Sequence, residues 1–440
     1  MTDTAIDINA PYTLPCGLQL KNRLVKAAMT EGLADASGTA TDKLANLYDL
    51  WAQSGVGLLI TGNILVDRFH LERAGNVVID GPQSDARMAA LRAYAEAAQQ
   101  NGTACFVQLS HAGRQTPVNI NPSPKSASNI QLGLPGGQYA RPTSLTEGEI
   151  EAIIGKFSLA AKACQEAGFQ GVQIHSAHGY LLSQFLSPLA NKRTDRWGGN
   201  LENRARLLIE IISEVRRVVG DDYPVTVKLN SSDFQEDGFL FDDCLQVVKW
   251  LNALNIDMLE ISGGTYEQPK MVGLDGALEP IYDGDKPQKE STQAREAFFL
   301  NYAATIGKIA EMPLMVTGGF RTRAAMNAAL CAGETDLIGL ARPMVPYPLC
   351  TKELLTGKID KLPDEVDFMP TSKLIHAASP FKLLRLAFGL GEMGWYYQKI
   401  LEMGAGRMPN LNQGLWSALI RHRQADGILA KKCRSYLTNS

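Results

Sequence analysis

The densest group of chemically useful side chains is the six-residue stretch HSAHGY, residues 175–180, which ends a short apolar run. A neutral imidazole at His175 or His178 can donate a hydrogen bond to a developing oxyanion. Tyr180, with a reference pKa of about 10, stays protonated at neutral pH and can serve as a general acid. Gly179 permits the sharp turn that would gather the three side chains. Such a set can grip a small polar substrate and protonate it. Read by themselves, the six residues also fit a structural turn around one buried histidine. Two histidines three positions apart fit a metal pair as well, although no carboxylate or third histidine stands nearby.

These side chains need elements to position them. Short β-branched or apolar runs alternate with longer helical patterns, which favours parallel strands joined by helical crossovers. Eight strands are predicted: Leu24–Met29, Gly57–Gly62, Ala104–Leu109, Gly171–His175, Val225–Leu229, Met258–Ile261, Leu314–Thr317 and Leu337–Leu340. Helices are predicted near 43–54, 83–99, 147–167, 201–219, 242–254, 292–310, 321–331 and 344–356. Thr146 and Glu149 have the spacing of a capping box. Eight such units predict an α/β fold, a closed (β/α)₈ TIM barrel, with a doubly wound open sheet as the alternative. No G-x-G-x-x-G follows an early strand, which weighs against a dinucleotide-binding sheet. The long loops 63–82, 110–146 and 262–291 all follow strand C-termini, the face on which barrels build active sites; the third could be a lid. Gly318–Gly319 after strand seven, and Ala341–Arg342 after strand eight, stand where barrels often hold phosphate.

Composition narrows the class. The chain has 440 residues, 45% hydrophobic and 20% charged, as in ordinary globular proteins. A net charge of −3 argues against a generic nucleic-acid binder. Residues 371–440 depart from that average, with ten Lys and Arg against three acids; this +7 leaves −10 for the rest. Seven dispersed cysteines without a C-x-x-C pair predict reduced thiols and a cytoplasmic setting, with no metal site. The N-terminal residues lack a signal-peptide pattern, and no apolar run is long enough to span a bilayer.

The stretch from His175 through HGYLLSQFLSPLANKRTDRWGG (178–199) resembles the signature segment of the Old Yellow Enzyme family, the NADH:flavin oxidoreductases. NRLVKAAMTEG (22–32), FVQLSHAGRQ (106–115), VKLNSSDF (227–234), TGGFRT (317–322) and DLIGLARPM (336–344) continue the resemblance in the family's order, over about residues 8–355. The long string is highly specific; TGGF alone would mean little. The resemblance implies an FMN-dependent ene-reductase, taking hydride from NADH or NADPH and reducing activated C=C bonds in a ping-pong cycle.

Carried over residue by residue, it implies that Ala28, Met29 and Thr30 lie along the flavin ring and that Gly62 allows close backbone approach. Gln108 would bind the pyrimidine end, and Lys228 would stand by N1 and O2, where a cation favours the reduced ring. Gly318, Gly319, Ala341 and Arg342 would hold the phosphate. His175 and His178 would bind the substrate's activating oxygen, and Tyr180 would supply the proton. Many relatives have Arg at the position of Lys228 and Gly at that of Ala341, and some have Asn at that of His178. A barrel salt bridge is the structural alternative for Lys228.

The predicted layout is an FMN-binding barrel over 1–359 and a basic helical extension over 360–440. The extension could pack on the barrel or a second subunit of a homo-oligomer, touch an anionic membrane, or bind a partner protein. Two other functions compete: a metal-assisted barrel hydrolase using His175, His178 and Lys228, and a flavin-binding protein that acts mainly through its tail.

Overall fold

The computed structural model describes residues 6–134, 136–267, 299–363 and 382–439. All eight apolar runs form strands: β1 Leu24–Lys26, β2 Leu58–Ile60, β3 Ala104–Ser110, β4 Gly171–Ser176, β5 Val225–Asn230, β6 Met258–Ser262, β7 Leu314–Thr317 and β8 Leu337–Leu340. Each lies parallel to the next, and β8 returns to β1 with Gly339 opposite Val25, which closes the barrel. Every residue of these strands is buried, so they read as continuous apolar runs rather than alternating ones. The open-sheet alternative is thereby removed.

Helices α1 Asp42–Ala52, α2 Asp85–Ala98 and α3 Glu147–Glu166 surround the barrel. The short α4 Leu181–Leu186 and then α5 Leu201–Val219, α6 Phe241–Leu251, α7 Leu300–Ile306, α8 Arg323–Cys331 and α9 Cys350–Leu355 complete the ring. α3 starts on the predicted capping box, with Thr146 and Glu149 each satisfying the other's backbone N–H. α9 begins six residues later than predicted, because Arg342–Met344 first form a 3₁₀ turn. The part of the predicted sixth helix (292–310) before 299 lies outside the described residues. So do residues 268–291 of the candidate lid and 364–381 of the tail.

Two features were not predicted. An antiparallel hairpin, Tyr12–Thr13 with Gln19–Leu20, sends Leu14 and Leu20 against Leu58, Ala104, Met258 and Leu337. It therefore plugs the N-terminal end of the barrel and leaves the opposite end for chemistry. The second is α4, which opens directly after Tyr180.

The tail folds into α10 Lys382–Gly404 and α11 Leu415–Asn439, which pack on each other and, through α10, on α1. Ile400 and Met403 join the barrel's main hydrophobic core. Leu429, Ala430 and Cys433 pack with Leu65, Leu71 and Val78 of the region after β2. No helix among the described residues is long and apolar enough to cross a membrane.

Candidate active site

A polar layer crosses the barrel interior from β3 to β7. Gln108 Nε2 donates to Gln173 Oε1 at 2.7 Å, and Gln173 Nε2 donates to Glu260 Oε2 at 2.8 Å. Glu260 Oε1 accepts from Thr317 Oγ1 at 2.7 Å and pairs with Lys228 Nζ at 2.9 Å. Lys228 is thus in a buried ion pair, the structural alternative to a free cation, and its electrostatic effect is that of a lysine shared with Glu260. Lys228 lies opposite His175 in the β4–β5 register.

At the end of β4 the chain turns through two left-handed residues, His178 at φ 60° and Gly179 at φ 77°. A Cβ on residue 179 would stand 2.6 Å from Gln115 Oε1, so glycine is required there for space as well as for its angle. The turn brings the three predicted side chains together: the His175 ring is 5.1 Å from that of His178 and 4.8 Å from that of Tyr180. His175 Nδ1 accepts the Ala177 N–H at 3.2 Å, which leaves the ring proton on Nε2. His178 Nε2 is 2.8 Å from Ser262 Oγ, and its backbone N–H donates to Asn230 Oδ1 at 3.2 Å. Tyr180 and Tyr266 share a hydrogen bond at 2.7 Å.

Burial, followed by the nearby Lys228 charge, depresses both histidine pKa values well below the usual range. Burial, and then the Glu72 carboxylate, raises that of Tyr180. The cluster therefore presents neutral imidazoles beside protonated phenols.

Residues at the ends of β1 and β2, with Tyr48 of α1, form a second network that the sequence did not reveal, although Lys26 and Glu31 stand in the segment NRLVKAAMTEG. Lys26 is fully buried and donates to Tyr48 Oη at 3.0 Å and to the Ile60 carbonyl at 2.8 Å. Burial is the main cause of its pKa falling to about 8, with Glu31 opposing. The Tyr48 hydroxyl donates to Glu31, whose Oε1 also accepts the Gly62 N–H at 2.7 Å. A Cβ at Gly62 would lie 2.3 Å from the Met29 carbonyl oxygen. The residues around it thus demand a glycine here before any ligand is considered. Ala28, Met29, Thr30 and Gly62 all lie beyond the ladder, since β1 ends at Lys26 and β2 at Ile60.

Gly318 and Gly319 follow β7 in left-handed conformations, φ 108° and 84°, and open space surrounds a Cβ built at Gly318. Neither glycine's N–H is given to an acceptor among the described residues. Ala341, with φ −133°, needs no glycine. Arg342 has no ion-pair partner among the described residues and lines a cavity with Met29 and Thr30. Unspent N–H groups, an unpaired guanidinium and an adjoining cavity fit an anionic, partly apolar ligand such as FMN.

His175 and His178 lie close together, but among the described residues neither belongs to a group of three metal-ligand side chains. Among the described residues, ligand-type atoms cluster at Asp67, His70 and His111 instead. Asp67 and His70 are committed within that cluster: His70 Nδ1 lies 3.1 Å from Asp67 Oδ1, Lys156 Nζ 2.5 Å from Asp67 Oδ2, and His70 Nε2 accepts the Lys125 N–H at 2.9 Å, whereas His111 Nε2 has no hydrogen-bond partner among the described residues.

Residues 8–360 match the model of the NADH:flavin oxidoreductase / NADH oxidase family. The chain belongs to this family. Membership makes it an FMN-dependent, NAD(P)H-linked oxidoreductase of the old yellow enzyme type. It is 36% identical over 376 residues to the NADH-dependent flavin oxidoreductase iliE of Hypocrea jecorina, covering 82% of this chain and 92% of that one. A namesake from Neonectria sp. is 37% identical over 374 residues, but the chain spans only 48% of its length. Among solved structures, an old yellow enzyme homologue from Zymomonas mobilis superposes with a TM-score of 0.65 at 25% identity, covering 80% of this chain and 94% of that one. A 2-naphthoyl-CoA reductase gives 0.71 at 25% identity, covering 82% and 54%. The family match ends at residue 360, before α10 and α11.

Proposed function

We propose that the chain reduces activated carbon–carbon double bonds, those of α,β-unsaturated carbonyl or nitro compounds. The observation that carries this reading is the juxtaposition of His175 and Tyr180, rings 4.8 Å apart, each held in the protonation state the reaction needs. When bound, FMN supplies the two-electron chemistry, accepting hydride from NADH or NADPH and passing it to the alkene in a ping-pong sequence. Gly318, Gly319, Ala341 and Arg342 hold its phosphate, while Ala28, Met29, Thr30, Gly62, Gln108 and Lys228 border its ring.

The chain's own groups do the rest. His175 Nε2–H and His178 bind the substrate's activating oxygen and stabilise the charge that develops there. Neutral imidazoles donate without adding a second cation beside Lys228. Tyr180 delivers a proton to the α-carbon, and Tyr266, 2.7 Å away, orients the phenol.

Positioned proton donation is worth about 10²–10⁴-fold, so Tyr180→Phe should slow alkene reduction by that order. Stopped-flow absorbance can separate the half-reactions, with NADH or NADPH as reductant and 2-cyclohexenone as oxidant. Flavin reduction should stay within about threefold of the unaltered rate, because no proton from Tyr180 enters that step. Equal losses in both half-reactions would overturn the assignment.

A further inference from the structure

The tail helices stand over the functional end of the barrel. A cavity of about 300 Å³ lies between α10 and the segments after β1 and β8. Met29, Thr30 and Arg342 wall it on the barrel side, and Met393, Tyr396 and Ile400 of α10 wall it on the other. The helical hairpin formed by α10 and α11 is fastened beside this cavity. The Arg73 guanidinium sits 3.8 Å from the Tyr397 ring centroid and pairs with Asp426 of α11 at 3.0 Å. Tyr397 in turn stacks on His422 at 4.7 Å. Below the hairpin, Gly75 lies so close that an added Cβ would stand 3.0 Å from the Leu429 side chain.

We propose that α10 is the outer wall of the flavin site, with Met393, Tyr396 and Ile400 covering an apolar edge of the bound ring. This rests on the reading that Met29, Thr30 and Arg342 contact FMN. The cavity combines a mostly apolar lining with two charged groups: Glu392, which has an interaction of its own, and the Arg342 guanidinium, which lacks an ion-pair partner among the described residues. That combination suits a ligand with a flat apolar part and an anionic part. A barrel-mouth site without this helix would leave the same edge in water. The family match stops at residue 360, so the wall lies outside the matched barrel.

The test is FMN retention, read as the recovery of free-flavin fluorescence on dilution of the full chain. Met393 is 45% exposed, so Met393→Glu places a carboxylate on the wall without emptying the core. Its Kd for FMN should rise about tenfold or more, whereas the volume-conserving Met393→Leu should stay within about twofold. Ile428→Glu, on α11 at a position 62% exposed, should also stay within about twofold. The inference is overturned if Met393→Glu holds FMN as tightly as the unaltered chain, or if Ile428→Glu loosens it equally. Should the unaltered chain itself fail to retain FMN supplied in excess, the functional reading falls and takes this inference with it. Retention by the unaltered chain and Met393→Glu alike removes only the inference.

Discussion

Two buried lysines meet the cost of a desolvated charge in different ways. Lys26 has neutral oxygen acceptors and the faces of Tyr48 and Trp51, with its Nζ 4.8 and 4.3 Å from their centroids. Lys228 has a carboxylate, Glu260, which is itself fully buried. Removing one partner of such a pair leaves the other charge buried and uncompensated, at a cost of about 3–5 kcal/mol. Glu260→Gln is therefore expected to lower the urea midpoint strongly. The double variant Glu260→Gln with Lys228→Met should recover part of the loss, because no orphan charge remains. A double variant less stable than Glu260→Gln alone would show that the pair is not the source of the penalty. The pair was half legible. Lys228 stood out as a cation in a strand, and β6 places Glu260 between Met258 and Ser262 on one face of a period-two pattern. Nothing local says that β5 and β6 turn those faces toward each other. The same limit hid Ser262 and Tyr266 as the partners of His178 and Tyr180, since each contact spans more than eighty residues.

Elements were more legible than their ends. Each predicted strand exists because β-branched and apolar runs bounded by turn residues have few other ways to bury themselves. β1 and β2 stop two or three residues early, where Ala27–Thr30 and Thr61–Gly62 leave the ladder to serve the mouth. The N–H groups of Ala27 and Thr61 still reach Leu340 of β8 and Phe106 of β3, but the regular ladder ends there. α4 was missed because six residues provide too little periodicity to separate a helix from the turn before it. The capping box of α3 was read correctly because it is wholly local: four residues decide it. Thr146→Ala should remove one side-chain acceptor from the helix start and cost about 1 kcal/mol. Differential scanning calorimetry should show a Tm lower by about 1 °C, since an unfolding entropy of about 2.1 cal/mol/K per residue spreads the loss over 440 residues, with FMN affinity unchanged. A Tm equal to that of the unaltered chain would mean that the box is redundant with packing along α3.

For the molecule as a whole, the buried histidines predict a direction for stability against pH. Burial is the leading cause that keeps His111, His175 and His178 neutral in the folded chain, their pKa values well below the ordinary one. Unfolding releases each to titrate near 6.5. Below that pH the unfolded chain takes up protons that the folded chain refuses, so stability falls as the solution is acidified. Between pH 7 and 5 each such group can contribute up to about 2 kcal/mol in that direction. Glu72 and Asp233 act oppositely: burial raises their folded pKa values, which favours the fold at low pH and removes that advantage as pH rises through them. That gain on acidification runs down to the unfolded value of about 4 and opposes the imidazoles between pH 7 and 5, where four depressed histidines, with His422 at about 4 as the fourth, outnumber the two carboxyls and should prevail. Urea midpoints measured at pH 7, 6 and 5 should therefore decrease in that order. His175→Asn, which cannot titrate there, should make the decrease shallower. A midpoint that stays level or climbs on acidification would mean that these imidazoles take up protons within the fold. In that case the neutral donors assigned to the site could not be present at the acidic end of the range.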